Sequence, residues 1–368
     1  MYKILSFFVF FAALLPAYSI SQSLIDIYIS NRFIALLALP LFIFLKPAKN
    51  FIIDYPTVLL WIIIYFVSGY ALLAIIENRS YLIYSGYVLA FLYIALLFKL
   101  INLNKNIFLK FMKIFILLNL IYTLIQVLLL NVGLGGWAMV HSNLPAQSDY
   151  SIPIFIMEPF YRYTGLFNES APFAFYLAIC HAFFVIFNGR KYQNMALILL
   201  IFSGSKAGYL YLLIFYLGFS KSHAIKYVLR CSLLLFLIIF IYFYDQFSNF
   251  SPGEFASLIQ RQEVLFNNEL KISLLGIDLG STSEGELGLD FFSIFSSGFG
   301  MVGLVGIFCL FILFYRSVEN DKRHFFIPPL LIGLLSSGSL LIFQYSLLFA
   351  SLYYCHLQGL KDSYKYYD

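Results

Sequence analysis

Apolar residues in this chain arrive in long unbroken runs, not at amphipathic intervals. They occupy residues 4–20, 33–45, 56–76, 81–98, 114–130, 171–187, 291–315 and 325–356. A bilayer's hydrocarbon core, about 30 Å thick, takes roughly 20 apolar residues in one helix. The last run is too long for one crossing and divides at Ser336-Ser337-Gly338-Ser339. Composition points the same way: 62% of residues are hydrophobic and 11% are charged. A water-soluble domain carries about 25% charged residues. Disordered chains, coiled coils and disulfide scaffolds are excluded on the same grounds. The predicted fold is all-α, a polytopic membrane protein with residues 1–368 in a single integral membrane domain.

The middle of the chain has two readings. Residues 195–219 form either one helix with Lys206 at its centre or two short helices turning at Ser203-Gly204-Ser205-Lys206. A lysine at mid-bilayer costs about 2.5–3.5 kcal/mol on insertion scales, which favours the break, although each half is then shorter than a usual span. With the break there are about twelve helices and both termini are cytoplasmic. Seventeen of the 23 Lys and Arg residues then lie inside, among them Lys105, Lys110, Lys113, Arg190, Lys191, Lys221, Arg230, Arg316 and Arg323. Outside lie Arg32, Arg79, Arg162, Lys206, Arg261 and Lys271. That asymmetry obeys the positive-inside rule. The first run also has a signal-peptide pattern, with Lys3 ahead of it and Ala17-Tyr18-Ser19 as a cleavage site. Its removal would leave eleven helices and an outside N-terminus. The four cysteines, Cys180, Cys231, Cys309 and Cys355, sit in or beside apolar runs without paired spacing and read as small buried hydrophobes. The basic residues are scattered, which gives no nucleic-acid surface.

Two outside loops, 131–170 and 245–290, exceed the length of ordinary connections and read as functional. The second opens a helix of its own at the capping box Ser251-Pro252-Gly253-Glu254. Phe255, Leu258, Ile259, Leu265, Phe266 and Leu270 then recur on one face, the pattern of an amphipathic helix lying on a membrane surface.

Charge inside the spans is nearly absent. Asp54, Glu77 and Asp245 fall at span ends, and His181 and His356 have no acidic partner nearby in sequence. Proton-coupled transport would require buried acids or histidines at mid-membrane. No HExxH, DxD or Gly-rich phosphate loop occurs, so neither a metal nor a nucleotide cofactor is expected. The outside cations stand in a different setting: Tyr161-Arg162-Tyr163-Thr164-Gly165, Gly204-Ser205-Lys206 and Arg261-Gln262-Glu263. The planar fork of arginine matches phosphate oxygens, and flanking aromatics suit a sugar face. A lipid-linked diphosphate sugar fits that composition.

The stretch from Arg162 through Gly165, Phe167, Glu169 and Ala174 to Tyr176-Leu177 resembles a motif of the O-antigen and capsule repeat-unit polymerases (Wzy type). These belong to the O-antigen polymerase/ligase superfamily. Ser203-Gly204-Ser205-Lys206-Ala207-Gly208 is similar to that superfamily's short break between two helices. Arg261 followed by Leu274-Leu275-Gly276-Ile277-Asp278-Leu279-Gly280 resembles its "R…LLGxGxG" loop. Glu286 through Asp290 to Gly300 and Gly303-Leu304 resembles the closing segment that leads into the next helix. The order of these motifs covers residues 131–305. Lys206 stands where the family commonly has Arg, and Asp278 where the loop pattern has Gly. The ligase branch carries a histidine near the end of the second long loop, whereas this chain has none between His223 and His324; that favours polymerase over ligase.

The resemblance implies a GT-C-like, metal-independent glycosyltransferase in the bacterial inner membrane, acting at the periplasmic face in lipopolysaccharide or related polysaccharide biosynthesis. Its substrate would be an oligosaccharide on undecaprenyl diphosphate, within the lipid bilayer, with a chain-length regulator as partner. The growing glycan would pass from one lipid diphosphate to the next repeat unit. Arg162 and Arg261 would stabilise the leaving diphosphate, with Lys206 as a secondary contact. Glu169 would receive the acceptor proton, with Glu286 and Asp290 behind it. Tyr161 and Tyr163 would face the sugar. An O-antigen ligase and a flippase for the same lipid-linked unit are the rival readings.

Overall fold

The computed structural model describes residues 55–76, 81–134, 155–157, 160–167, 170–219, 227–228, 230–231, 291–318, 320–335 and 341–364. Their regular structure is helical except for one small two-stranded ladder. In chain order the helices are α1 (Tyr55–Ile76), α2 (Tyr81–Leu103), α3 (Lys105–Asn131), α4 (Ser170–Ile186), α5 (Arg190–Phe202), α6 (Lys206–Phe219), α7 (Phe291–Ser317), α8 (Asn320–Arg323), α9 (Ile327–Leu335) and α10 (Leu341–Tyr364). A single 3₁₀ turn, His324–Phe326, joins α8 to α9. Strands β1 (Phe155–Met157) and β2 (Phe160–Tyr161) pair antiparallel between α3 and α4. The ladder lies within the first long loop, 131–170. Its Phe, Ile and Tyr residues are types enriched in strands.

Proline marks several helix starts: Pro56 in α1, Pro172 in α4, and Pro328 and Pro329 in α9. In a first turn the missing N–H has no intrahelical partner to lose. The 195–219 run is broken as expected. Helix α5 ends at Phe202, α6 starts at Lys206, and Gly204 between them takes φ +58°, a backbone that a side chain would strain. Helix α7 is kinked where Gly300 leaves helical geometry at φ +65° and ψ −165°. In place of the 32-residue final run stand α9 and α10. Helix α3 begins nine residues before the predicted span, so Lys105, Lys110 and Lys113 are helical and not loop residues.

Helix α4 is the centre of the bundle. Every residue from Phe173 to Phe184 is buried, and α3, α5, α6, α9 and α10 all pack against it. A helix apolar on all sides can be accommodated only in such a place. Helix α3 has the reverse of the polarity found in water-soluble proteins. Its exposed face carries Leu117, Ile121, Leu124, Ile125 and Leu128, while Asn119, Thr123 and Gln126 are buried. Among the described residues, α3 is the one helix both long and apolar enough to cross a membrane by itself.

The two ends of the bundle differ in charge. Lys105 at the start of α3 donates to the Leu357 carbonyl of α10, and nearby Asn102 donates to the Tyr353 hydroxyl at 2.5 Å. His356 Nδ1 donates to the Ser317 carbonyl at 2.8 Å, bringing in the end of α7. Arg323 lies over the Tyr315 ring at 4.9 Å. Lys113 lies 5.5 Å from the Tyr192 ring at the start of α5, and Phe219 at the end of α6 packs on Phe325 at 4.8 Å. Lys105, Arg190, Lys191, Arg316, Lys322 and Arg323 therefore share one end. Gln126 lies 21 residues beyond Lys105, about 31 Å along α3 at about 1.5 Å per residue, and marks the other end.

Candidate functional site

The end opposite the lysines is built around residues 162–167. This segment follows β2 and precedes α4 and is neither strand nor helix, so its backbone groups need partners from elsewhere. Gln126 of α3 supplies most of them. Its Oε1 accepts from the Thr164 N–H at 3.3 Å and the Gly165 N–H at 3.0 Å. Its Nε2 donates to Thr164 Oγ1 at 3.1 Å and to the Gly165 carbonyl at 3.3 Å. Seven residues back along α3, Asn119 Oδ1 accepts from the Leu166 N–H at 3.1 Å, while its Nδ2 donates to the Phe115 carbonyl at 2.9 Å.

Gly165 takes φ +55° and has no space for a side chain. A Cβ there would stand 2.7 Å from Asn119 Oδ1 and 2.7 Å from the Phe173 ring. Phe167 anchors the far end of the segment. It is 3% exposed, and its ring centroid lies 4.8 Å from Tyr176 and 5.6 Å from Phe173. The glycine and phenylalanine of the sequence motif thus hold the segment on the α3–α4 floor.

A third fastening joins this segment to the α5–α6 break. The Tyr163 N–H donates to the Phe202 carbonyl at 3.3 Å, and the Tyr163 and Phe202 rings lie 5.9 Å apart. The break is itself buried and bonded. Ser203 and Ser205 are 0% and 2% exposed, and Ser203 Oγ donates to the Leu200 carbonyl at 2.7 Å. Arg162 therefore adjoins one partner of the Tyr163–Phe202 bond, and Lys206 follows four residues after the other. Two motifs distant in sequence share one end of the bundle.

Arg162 is half-buried. Its Nε is buried without a hydrogen-bond partner, and no carboxylate among the described residues pairs with it. Lys206 is exposed at the first position of α6, where its charge adds to the positive end of the helix dipole. A guanidinium and an ammonium in such a setting are complementary to an anion.

Of the other sequence-predicted site residues, Tyr161 is placed by its backbone in β2. Tyr163 is half-buried, with its ring tilted by 52° to that of Phe202. Glu169, Arg261, Glu286 and Asp290 lie outside the described residues, as do the Ser251 capping box and the second long loop. His181 is buried in α4, where its Nδ1 lies 2.7 Å from the Tyr211 hydroxyl of α6, in agreement with a packing role. Cys180 and Cys355 are buried as expected; Cys231 and Cys309 are exposed, which corrects the reading of all four as buried. Position in an apolar run does not fix which side of a helix faces inward.

Sequence reasoning passed over Asn119 and Gln126 because it searched the spans for charge. Two amides seven residues apart, with Thr123 between them, form one polar stripe on an otherwise apolar helix. A stripe of that kind inside lipid-compatible sequence signals a buried polar partner. No family model, no characterised protein and no solved structure matches this chain.

Proposed function

We propose that this chain is a membrane-embedded glycosyltransferase of the repeat-unit polymerase type, with about twelve spans and cytoplasmic termini in a bacterial inner membrane. The observation that carries the reading is the union of the Arg162 segment with the Ser203–Lys206 break through the Tyr163–Phe202 bond. Two cations thereby stand at the end of the bundle remote from Lys105, Arg190, Lys191, Arg316, Lys322 and Arg323. The inverted polarity of α3, apolar outside and amide-lined inside, supports a lipid surround.

In this reading the acceptor sugar's hydroxyl oxygen bonds to the anomeric carbon of the growing glycan. The bond from that carbon to the lipid diphosphate breaks, and the diphosphate leaves with the electron pair. Arg162 and Lys206 stabilise the charge that develops on it, and Arg261 from the second loop completes the set. Fixed cations of this kind act where charge grows in the transition state. Glu169, the residue before α4 begins, takes the hydroxyl proton.

Deletion of the gene tests the reading on a gel of surface polysaccharide. The expected product is lipid core capped by at most one repeat unit. Polymer accumulating on undecaprenyl diphosphate would identify a ligase instead. Loss of all periplasmic repeat units would identify a flippase.

A further inference from the structure

We propose that Gln126 is a positioning residue of this site: its carboxamide is the template on which the Thr164–Gly165 backbone is shaped, and it thereby fixes where Arg162 stands. The catalytic consequence rests on the polymerase reading; the structural content does not.

A carboxamide has two donor hydrogens and an oxygen with two lone pairs. In Gln126 all four meet two consecutive residues of one loop. The loop receives from α3 the bonds that a strand partner or helical turn would otherwise give. The left-handed backbone at Gly165 brings its N–H and its carbonyl to the same amide. Thr164 is itself buried, at 6% exposure, so its backbone has no water to fall back on. A residue needed only to fill space at position 126 would be apolar, as Val127, Leu128, Leu129 and Leu130 are. Burying an amide, as at Gln126, is costly unless it is fully paired.

The test uses the full-length protein in membranes, with the four native cysteines replaced and Arg162→Cys as a reporter. A membrane-impermeant maleimide measures access to position 162. Gln126→Ala is expected to raise the labelling rate on the order of tenfold, the factor that about 1.4 kcal/mol corresponds to, at an unchanged amount of inserted protein. With Arg162 intact, Gln126→Ala should also lose the polysaccharide ladder. Gln126→Glu keeps the shape and the two accepting contacts and loses the donors. It should give an intermediate rate and a shortened ladder, whereas a role in filling space alone would leave this isosteric variant equal to wild type in both readouts.

Wild-type labelling and a wild-type ladder in Gln126→Ala overturn the proposal. Should that variant fail to accumulate, Gln126→Glu decides by itself, and equality with wild type in both readouts overturns the template. A strain whose ladder survives both gene deletion and Arg162→Ala refutes the polymerase reading, and the labelling rates then judge Gln126 independently.

Discussion

Substituting alanine at Gly165 and at Gly133 separates two costs that usually occur together. Both glycines have positive φ, +55° and +77°. A Cβ at Gly133 meets nothing within 4 Å, whereas one at Gly165 stands 2.7 Å from Asn119 Oδ1 and 2.7 and 2.8 Å from two atoms of the Phe173 ring. Neither neighbour can yield: Asn119 is held by bonds to Leu166 and Phe115, and Phe173 is fully buried. Left-handed backbone costs a residue with a Cβ about 1–2 kcal/mol. Overpacking a filled site adds about 1–3 kcal/mol. Gly133→Ala should therefore lose about 1–2 kcal/mol and Gly165→Ala about 2–5 kcal/mol. Thermal denaturation of the purified protein in lipid nanodiscs should rank wild type above Gly133→Ala and both above Gly165→Ala. The strained segment can instead lift from α3, giving up the bonds to Gln126, and labelling at position 162 would then rise. Equal melting temperatures and equal labelling for the two variants would refute the packing argument.

Arg162→Ala should abolish long polymer at normal membrane levels of protein, since losing one donor to developing charge costs on the order of 100- to 1000-fold in rate. Arg162→Lys, which keeps the charge but not the planar fork, should restore only short chains on the same gel. Tyr211→Phe leaves His181 Nδ1 without its 2.7 Å partner and should destabilise by about 1–3 kcal/mol. A melting curve with a lowered midpoint and an intact ladder would meet that expectation. Ser257→Cys should react with an impermeant reagent from outside and Ser222→Cys should not; outside labelling of Ser222→Cys would overturn the assigned sidedness.

The break at residues 203–205 was legible in the sequence because serine and glycine interrupt a run in which a central lysine could not remain. The early start of α3 was not. Lys105, Lys110 and Lys113 read as a loop, and only the tertiary structure supplies the Leu357 carbonyl and the Tyr192 ring that lie beside two of them. Around Arg162 the residues that hold the segment were less legible than its charge. Charge drew attention to Arg162 and Tyr163, while Gly165 and Phe167 do the holding. Asn119 and Gln126 were visible as a polar stripe, yet no local signal says that their partner is a backbone segment some 40 residues onward. Distant partners of neutral polar groups are specified by packing, which periodicity does not report.

Helices α5 and α6 have 13 and 14 residues, about 20 and 21 Å at about 1.5 Å per residue. In the proposed orientation, hydrocarbon about 30 Å thick cannot match both the Arg190–Lys191 start of α5 and the Ser203–Lys206 break at its surfaces. Local thinning of the bilayer would relieve such a mismatch, at a cost of fractions of a kcal/mol per Å. In the proposed orientation the outer leaflet dips beside α6, leaving a wet depression with Lys206 on its floor. A diphosphate on a polyprenyl chain could then reach the cations sideways, with its tail still among lipids, while the sugars to be joined approach from the water above.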